Sequence, residues 1–167
     1  VLSEARKAVA PKLVNEAEQQ LNDLGFLQSR FDVEIVDPGE LGQATGAPLR
    51  TGFDQIEFLF APNPGEPFKP LKSIASSGEM ARVMLALKTV LASQDSIPIL
   101  IFDEVDANVG GETAAVVGQK MKQIGEKRQV LCITHLAPVA AAGAAHYLVE
   151  KEVADGRTVT RVLQLEE

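Results

Sequence analysis

Ile99-Leu100-Ile101-Phe102-Asp103-Glu104 is four apolar residues that end in two adjacent carboxylates. With Ile97 included, the apolar run reads as a strand buried on both faces, the kind that parallel sheets contain. Val130 to Thr134 is a second run of the same type. Between them, Glu112 to Gly125 reads as a helix, and Leu136 to Ala142 as a short helix beyond the second strand. Upstream, Ser77 to Ala92 has helical spacing, with Met80, Val83, Met84, Leu87 and Leu91 on one face. That spacing places the Met80–Met84 pair in the core. Strand, helix, strand, short helix, strand predicts an α/β fold with a largely parallel sheet and crossover helices. Sheets of this kind present ligand sites beyond the carboxyl ends of their strands. The residues that follow Phe102 and Thr134 are therefore the informative ones.

Further out the pattern changes. Residues 3–24 read as a helix with a Leu13, Ala17, Leu21, Leu24 stripe, Gly25 at its C′ position and Glu16, Gln20 and Asp23 on the polar side. Its start carries no cap, as expected of a cut through a longer element. Phe31 to Val36 alternates like a half-buried strand, and Ile56 to Phe60 is another. Asp37 to Gly52 reads as a loop. Ala61 to Pro70, with four prolines and one glycine, reads as an irregular connector. Ala145 to Glu152 and Thr158 to Leu165 flank Asp155-Gly156, a hairpin signal.

The bulk properties narrow the function classes. A chain of 167 residues is the size of one domain, and 46% hydrophobic with 23% charged residues is a globular balance. No apolar run approaches the ~20 residues of a membrane span, and no signal-peptide pattern is present. The single cysteine, Cys132, excludes an internal disulfide and reads as a small core residue. A net charge of −7 argues against a broad nucleic-acid face, which needs clustered Lys and Arg.

The carboxylates after Phe102 form a Walker B pattern. In that pattern Asp103 holds Mg2+ and Glu104 orients and partly deprotonates an attacking water; the alternative is a buried strand that simply ends in an acidic turn. Ser76-Ser77-Gly78-Glu79 opens a helix, where free N–H groups and the dipole favour an anion. The Ser76 to Glu79 spacing is equally that of a capping box, which needs no ligand. His135, just after the second buried strand, either reaches a γ-phosphate or attacking water at that edge or is a hydrogen-bonded structural histidine; His146 reads as structural outright. Asp106, in Val105 to Gly111, is either a turn former or part of a loop that communicates across an interface.

Signature, Asp-Glu strand, polar-glycine loop and histidine follow in the order of the second half of an ABC-type ATPase head. Ala75-Ser76-Ser77-Gly78-Glu79-Met80-Ala81-Arg82 resembles the signature of RecN proteins, bacterial relatives of the SMC ATPases. Phe102 through Gly111 resembles their Walker B and D-loop, and Ile133 to Ala140 their switch region. Glu57-Phe58-Leu59-Phe60 and Asn63-Pro64-Gly65-Glu66-Pro67 are also similar. The resemblance implies the C-terminal half of an ABC-type head, with residues 1–28 as the end of a coiled-coil arm and 29–167 as the lobe. It implies ATP and Mg2+ as cofactors, Asp103 on the metal, Glu104 as base and His135 as γ-phosphate sensor. Ser76, Ser77, Gly78 and Glu79 would meet nucleotide held by the opposite head, and Asp106 would couple the two heads. The implied partners are a P-loop half of the same protein, a second head in a homodimer, and DNA through the whole protein. The implied role is repair of double-strand breaks in the bacterial cytoplasm at the nucleoid, with no membrane.

One residue departs from the family pattern: Ser77 stands where Gly is usual. A G-x-x-x-x-G-K-[S/T] motif does not occur in the chain, so no phosphate cradle of that type is present. The chain alone is accordingly expected not to hydrolyse ATP appreciably. Three other classes compete: a dimerisation module without catalysis, a transporter ATPase fragment, and a metal-dependent hydrolase built from Asp103, Glu104, Asp106 and His135. Glu79 and Val105 depart from the transporter pattern, which carries Gln and Pro there.

Overall fold

A computed structural model describes residues 2–36, 51–154 and 156–165. Helix α1 spans Leu2–Asp23 and ends as its sequence predicts. Gly25 takes a φ of +91°, Phe26 N–H donates to Leu21 O at 3.0 Å and Gly25 N–H to Asn22 O at 3.1 Å. That is the Schellman arrangement, and Leu21 and Phe26 are both buried beneath it. Ala17, Leu21 and Leu24 carry the predicted stripe into the core, while Leu13 stays half-buried. The polar side is also used. Lys120 Nζ, from a later helix, reaches Gln20 Oε1 at 2.5 Å and Asp23 Oδ2 at 2.7 Å.

Strands β1 (Arg30–Val36) and β2 (Gln55–Ala61) pair antiparallel. Phe60 meets Phe26 edge to face, with ring centroids 5.4 Å apart. The connector 61–70 is irregular except at its end. There Lys69–Pro70 (β3) pairs with Leu59 and Phe60 as an edge strand, the position a proline tolerates. The loop expected over 37–52 lies, except for Thr51 and Gly52, outside the described residues.

Helix α2 (Ser77–Val90) leads to β4 (Ile99–Phe102), helix α3 (Gly111–Gly125) and β5 (Gln129–Cys132). β4 and β5 pair in parallel, Ile99 opposite Gln129 through Phe102 opposite Cys132, with α3 as the crossover. Among the described residues this pair is a separate parallel sheet, while β1, β2 and β3 form an antiparallel sheet of their own. A short helix α4 (Ala137–Ala140) precedes the hairpin of β6 (His146–Ala154) and β7 (Arg157–Leu165). Gly156 holds a φ of +73° in its turn.

Two packing expectations need correction. The runs at β4 and β5 are buried on one face, not two. Leu100 and Phe102 join the core with Val83, Leu87, Val117 and Met121, whereas Ile99, Ile101, Leu131 and Ile133 are exposed, Ile101 at 67%. The helices cover one side of the pair, and among the described residues no layer covers the other. The methionines are the second case. Met80 is half-buried and Met84 is 37% exposed. Val83 and Leu87 of the predicted stripe are buried, but beside Gly78, Arg82, Leu85 and Ala86 rather than the methionines. A stripe chosen by apolar side chains alone misses a face that includes a glycine at a close contact and an arginine with internal partners.

Candidate functional site

The start of α2 is capped as its sequence predicts: Ser76 Oγ accepts from the Glu79 N–H at 3.3 Å. The next residue points elsewhere. Ser77 Oγ donates to Glu104 Oε2, joining the helix start to the turn after β4. Gly78 is buried against that same turn. A Cβ there would lie 2.9 Å from Ala107 Cβ and 3.1 Å from the Glu104 carbonyl oxygen. The glycine is therefore required by packing within the chain, whatever else approaches the helix start. One helical turn on, Arg82 Nη1 donates to Ala107 O at 2.8 Å while its guanidinium lies 5.2 Å from the Phe26 ring centroid. Burial pulls the Arg82 guanidinium below its ordinary pKa, opposed by the charge of Glu79.

β4 delivers Asp103 and Glu104 to the sheet edge, and both are exposed. Glu104 adopts a φ of +56°, an uncommon conformation for a residue with a side chain, and Asn108 one of +60°. Ala107 N–H closes the turn onto Glu104 O at 3.0 Å. Asp103 lines an open groove of about 380 Å³ with Ser77, Met80, Met84, Lys88 and Ile101 among its walls.

Asp106 faces inward. Its residue is 2% exposed, and its Oδ2 accepts from Thr134 Oγ1 and from the His135 backbone N–H at 3.2 Å. His135 Nδ1 lies 3.5 Å from the same oxygen, with the ring side chain 73% exposed. Burial pushes the Asp106 carboxyl up, but the hydrogen bonds from Thr134 and the His135 backbone outweigh it and hold the carboxyl below its ordinary 3.8. Thr134 Oγ1 also accepts from the Leu136 N–H at 3.0 Å, so one hydroxyl fixes the exit from β5. Sequence reasoning passed over Thr134 and Arg82. Their only signals were a hydroxyl at the end of an apolar run and a cation inside the signature octapeptide.

Seven of the eight predicted residues fall into two groups, and the eighth, Asp103, lines the groove beside Ser77. Ser76, Ser77, Gly78, Glu79 and Glu104 gather where α2 meets the turn after β4. Asp106 and His135 join behind that turn through Thr134. The four residues of the metal-hydrolase alternative do not converge: Asp106 and His135 come together, but Asp103 and Glu104 do not join them. Among the described residues no three His, Cys, Asp or Glu side chains stand together as a metal-holding set. Asp103 fits Mg2+ only as a single carboxylate, which that ion accepts when phosphate and water oxygens complete its shell. Cys132 is half-buried behind the site. Burial, then the charges of Asp106 and Asp103, push its thiol up to about 11. His146 is structural, with Nε2 2.8 Å from Ala140 O.

No protein-family model matches the chain. Individual relatives do. It is 48% identical over 161 residues to the DNA repair protein RecN of Treponema pallidum (strain Nichols), covering 95% of this chain and 28% of that protein. Over nearly its whole length the chain is similar to RecN proteins. The RecN of Bacillus subtilis (strain 168) is 41% identical over 98% of the chain and 30% of its own length. That of Vibrio cholerae (serotype O1, El Tor Inaba N16961) is 38% identical over 99% and 29%. The chain therefore spans less than a third of the length of the RecN proteins it matches. Among solved structures, the SMC head domain of Pyrococcus yayanosii, with a coiled coil and joint, superposes with a TM-score of 0.63 at 19% identity over 92% of this chain and 26% of that one. A chain from work on ATP-driven dimerization and DNA-stimulated activation of SMC ATPases gives 0.54 at 17% identity, over 99% and 90%. At such low identities the likeness concerns the fold, and that fold is the α/β arrangement of an SMC head.

Proposed function

We propose that this RecN-type chain is the C-terminal part of an ATPase head in a bacterial protein that repairs DNA double-strand breaks. In this reading it supplies signature, Walker B, D-loop and switch histidine to nucleotide held between two heads. Bound ATP and Mg2+ would supply the transferable phosphoryl group and its charge neutralisation. The chain's own residues would do the rest. Asp103 would hold the metal through one carboxylate, and Glu104 would orient water and accept its proton. His135 would face the γ-phosphate, held by its backbone on Asp106. Ser76, Ser77, Gly78 and Glu79 would present the α2 start to nucleotide on the opposite head. Asp106 would affect head coupling through Thr134 and His135, since its own side chain is turned into the core.

The observation that carries this reading is the junction of the α2 start, the Glu104 turn and the Asp106–Thr134–His135 link along one edge of the parallel pair. A cap alone would leave no reason for this convergence. The bare apolar face of Ile99, Ile101, Leu131 and Ile133 supports a P-loop half of the same protein as the first partner, because that face needs cover. A second head and DNA would follow in the whole protein. Residues 1–28 would be the end of a coiled-coil arm, with its last turns seated in the lobe 29–167. No described helix is long and apolar enough to cross a membrane. We place the protein in the cytoplasm, at the nucleoid.

ATP hydrolysis should be measured for this chain alone, for it joined to its P-loop half, and for the joined form carrying Glu104→Gln. The expected result is turnover only in the joined protein, falling at least about a hundredfold with Glu104→Gln. Turnover that survives Glu104→Gln would remove Glu104 as the base. A folded joined protein without turnover would favour the dimerisation module.

A further inference from the structure

We propose that Ser77 is a positioning residue that holds Glu104 in a resting orientation, so that the signature segment restrains the general base of its own chain. This rests on Glu104 being the base. The contact is direct: Ser77 Oγ donates to Glu104 Oε2 across 27 residues of sequence. It is also braced. Gly78 packs on the Glu104 carbonyl and on Ala107, and Arg82 grips the Ala107 carbonyl at 2.8 Å. The two backbones therefore cannot drift apart while the side chains stay joined. The left-handed backbone at Glu104 breaks the alternation of β4, and the carboxylate it carries ends on the α2 side.

A carboxylate oxygen that accepts from a hydroxyl has that lone pair engaged. To take a proton from water, the base must turn a free lone pair toward it. A serine hydroxyl can rotate to a different acceptor, so the hold is releasable. An anionic oxygen arriving at the α2 start would compete for the Ser77 proton and free Glu104. Glycine or alanine at this position has nothing to hold with. A chain carrying serine here thus gains a link between occupancy at the signature and readiness of its own base.

The test uses the full-length protein containing this chain, with Ser77→Ala, Ser77→Gly, Ser77→Thr and Glu104→Gln. Without the latch, kcat for ATP should rise about fivefold in the Ala and Gly variants, the effect of one hydrogen bond to an exposed charged group. KM should change less than about twofold, and Thr, which retains the hydroxyl, should bring kcat back toward the Ser77 value. In parallel, the 13C carboxyl signal of Glu104 in the same protein, assigned by its loss in Glu104→Gln, should move in Ala and Gly and stay near its position in Thr. An unmoved carboxyl signal overturns the latch, as does a changed KM without a rise in kcat, which would make Ser77 a nucleotide contact only. If Ala and Gly leave kcat unchanged while Glu104→Gln abolishes it, the latch fails and the base assignment stands. If Glu104→Gln retains turnover, both fail.

Discussion

The junction between α2 and the turn after β4 differs from the β6–β7 hairpin in every respect that packing measures. In the junction, Gly78, Arg82, Val83, Leu85, Val105 and Asp106 are buried, and contacts join residues some 27 positions apart in sequence. In the hairpin, every residue of β7 is exposed, and Val149, Val153 and Val162 stand open although their ladder pairs in full register. Backbone hydrogen bonds make most of the hairpin, with one exposed cross-strand ion pair, Arg161 Nη2 to Glu152 Oε2 at 3.1 Å. Its side chains add little, since an isolated two-stranded ribbon buries almost nothing. The junction gains from burial, from close backbone approach and from polar groups paired inside the core. A functional edge needs side chains held within a fraction of an ångström, and only the junction is built for that.

The comparison can be broken first with large core changes. Leu85→Ala should cost about 3 kcal/mol in urea unfolding, the usual penalty for emptying a closed site, while Leu163→Ala in the hairpin should cost about 0.5 kcal/mol. Equal costs would mean that the hairpin is as well supported as the core. Next, Gly78→Ala should cost about 2 kcal/mol, because the new Cβ meets Ala107 and the Glu104 carbonyl. Gly156→Ala gives no such clash, since nothing lies within 4 Å of that site; its penalty, about 1 kcal/mol, comes from positive φ alone. A Gly78→Ala protein as stable as the parent would mean that α2 and the Glu104 turn are not tightly braced there.

The smallest effect sharpens the comparison through pH. Asp106→Asn should cost about 1 kcal/mol at pH 7 by weakening charge-assisted hydrogen bonds from Thr134 and His135. The folded Asp106 carboxyl titrates below its ordinary 3.8, so its stabilisation is present above that value and is lost as pH falls through the folded pKa. Parent and Asp106→Asn should therefore converge in stability as pH drops below 3.8. Denaturant midpoints at neutral pH and at about pH 3 decide this. A gap that stays constant or widens would show that the carboxylate charge is not what matters.

Much of this molecule was legible in its sequence. Alternating and continuous apolar runs located the strands, and Gly25 and Gly156 marked a helix end and a turn, Asp155 lying outside the described residues. Ser76 and Glu79 gave the capped start of α2, and the order of motifs pointed to the RecN type. These signals are local, or depend on spacing along one element, and so survive in one dimension. What tertiary structure decided is which partners those residues take. It turned Asp106 inward onto Thr134 and His135, gave Ser77 to Glu104, buried Arg82 beneath Phe26 and left Met84 and Ile101 exposed. Each outcome depends on an element distant in the chain. Hydropathy describes what a side chain prefers, whereas burial and hydrogen bonding depend on what the fold brings against it.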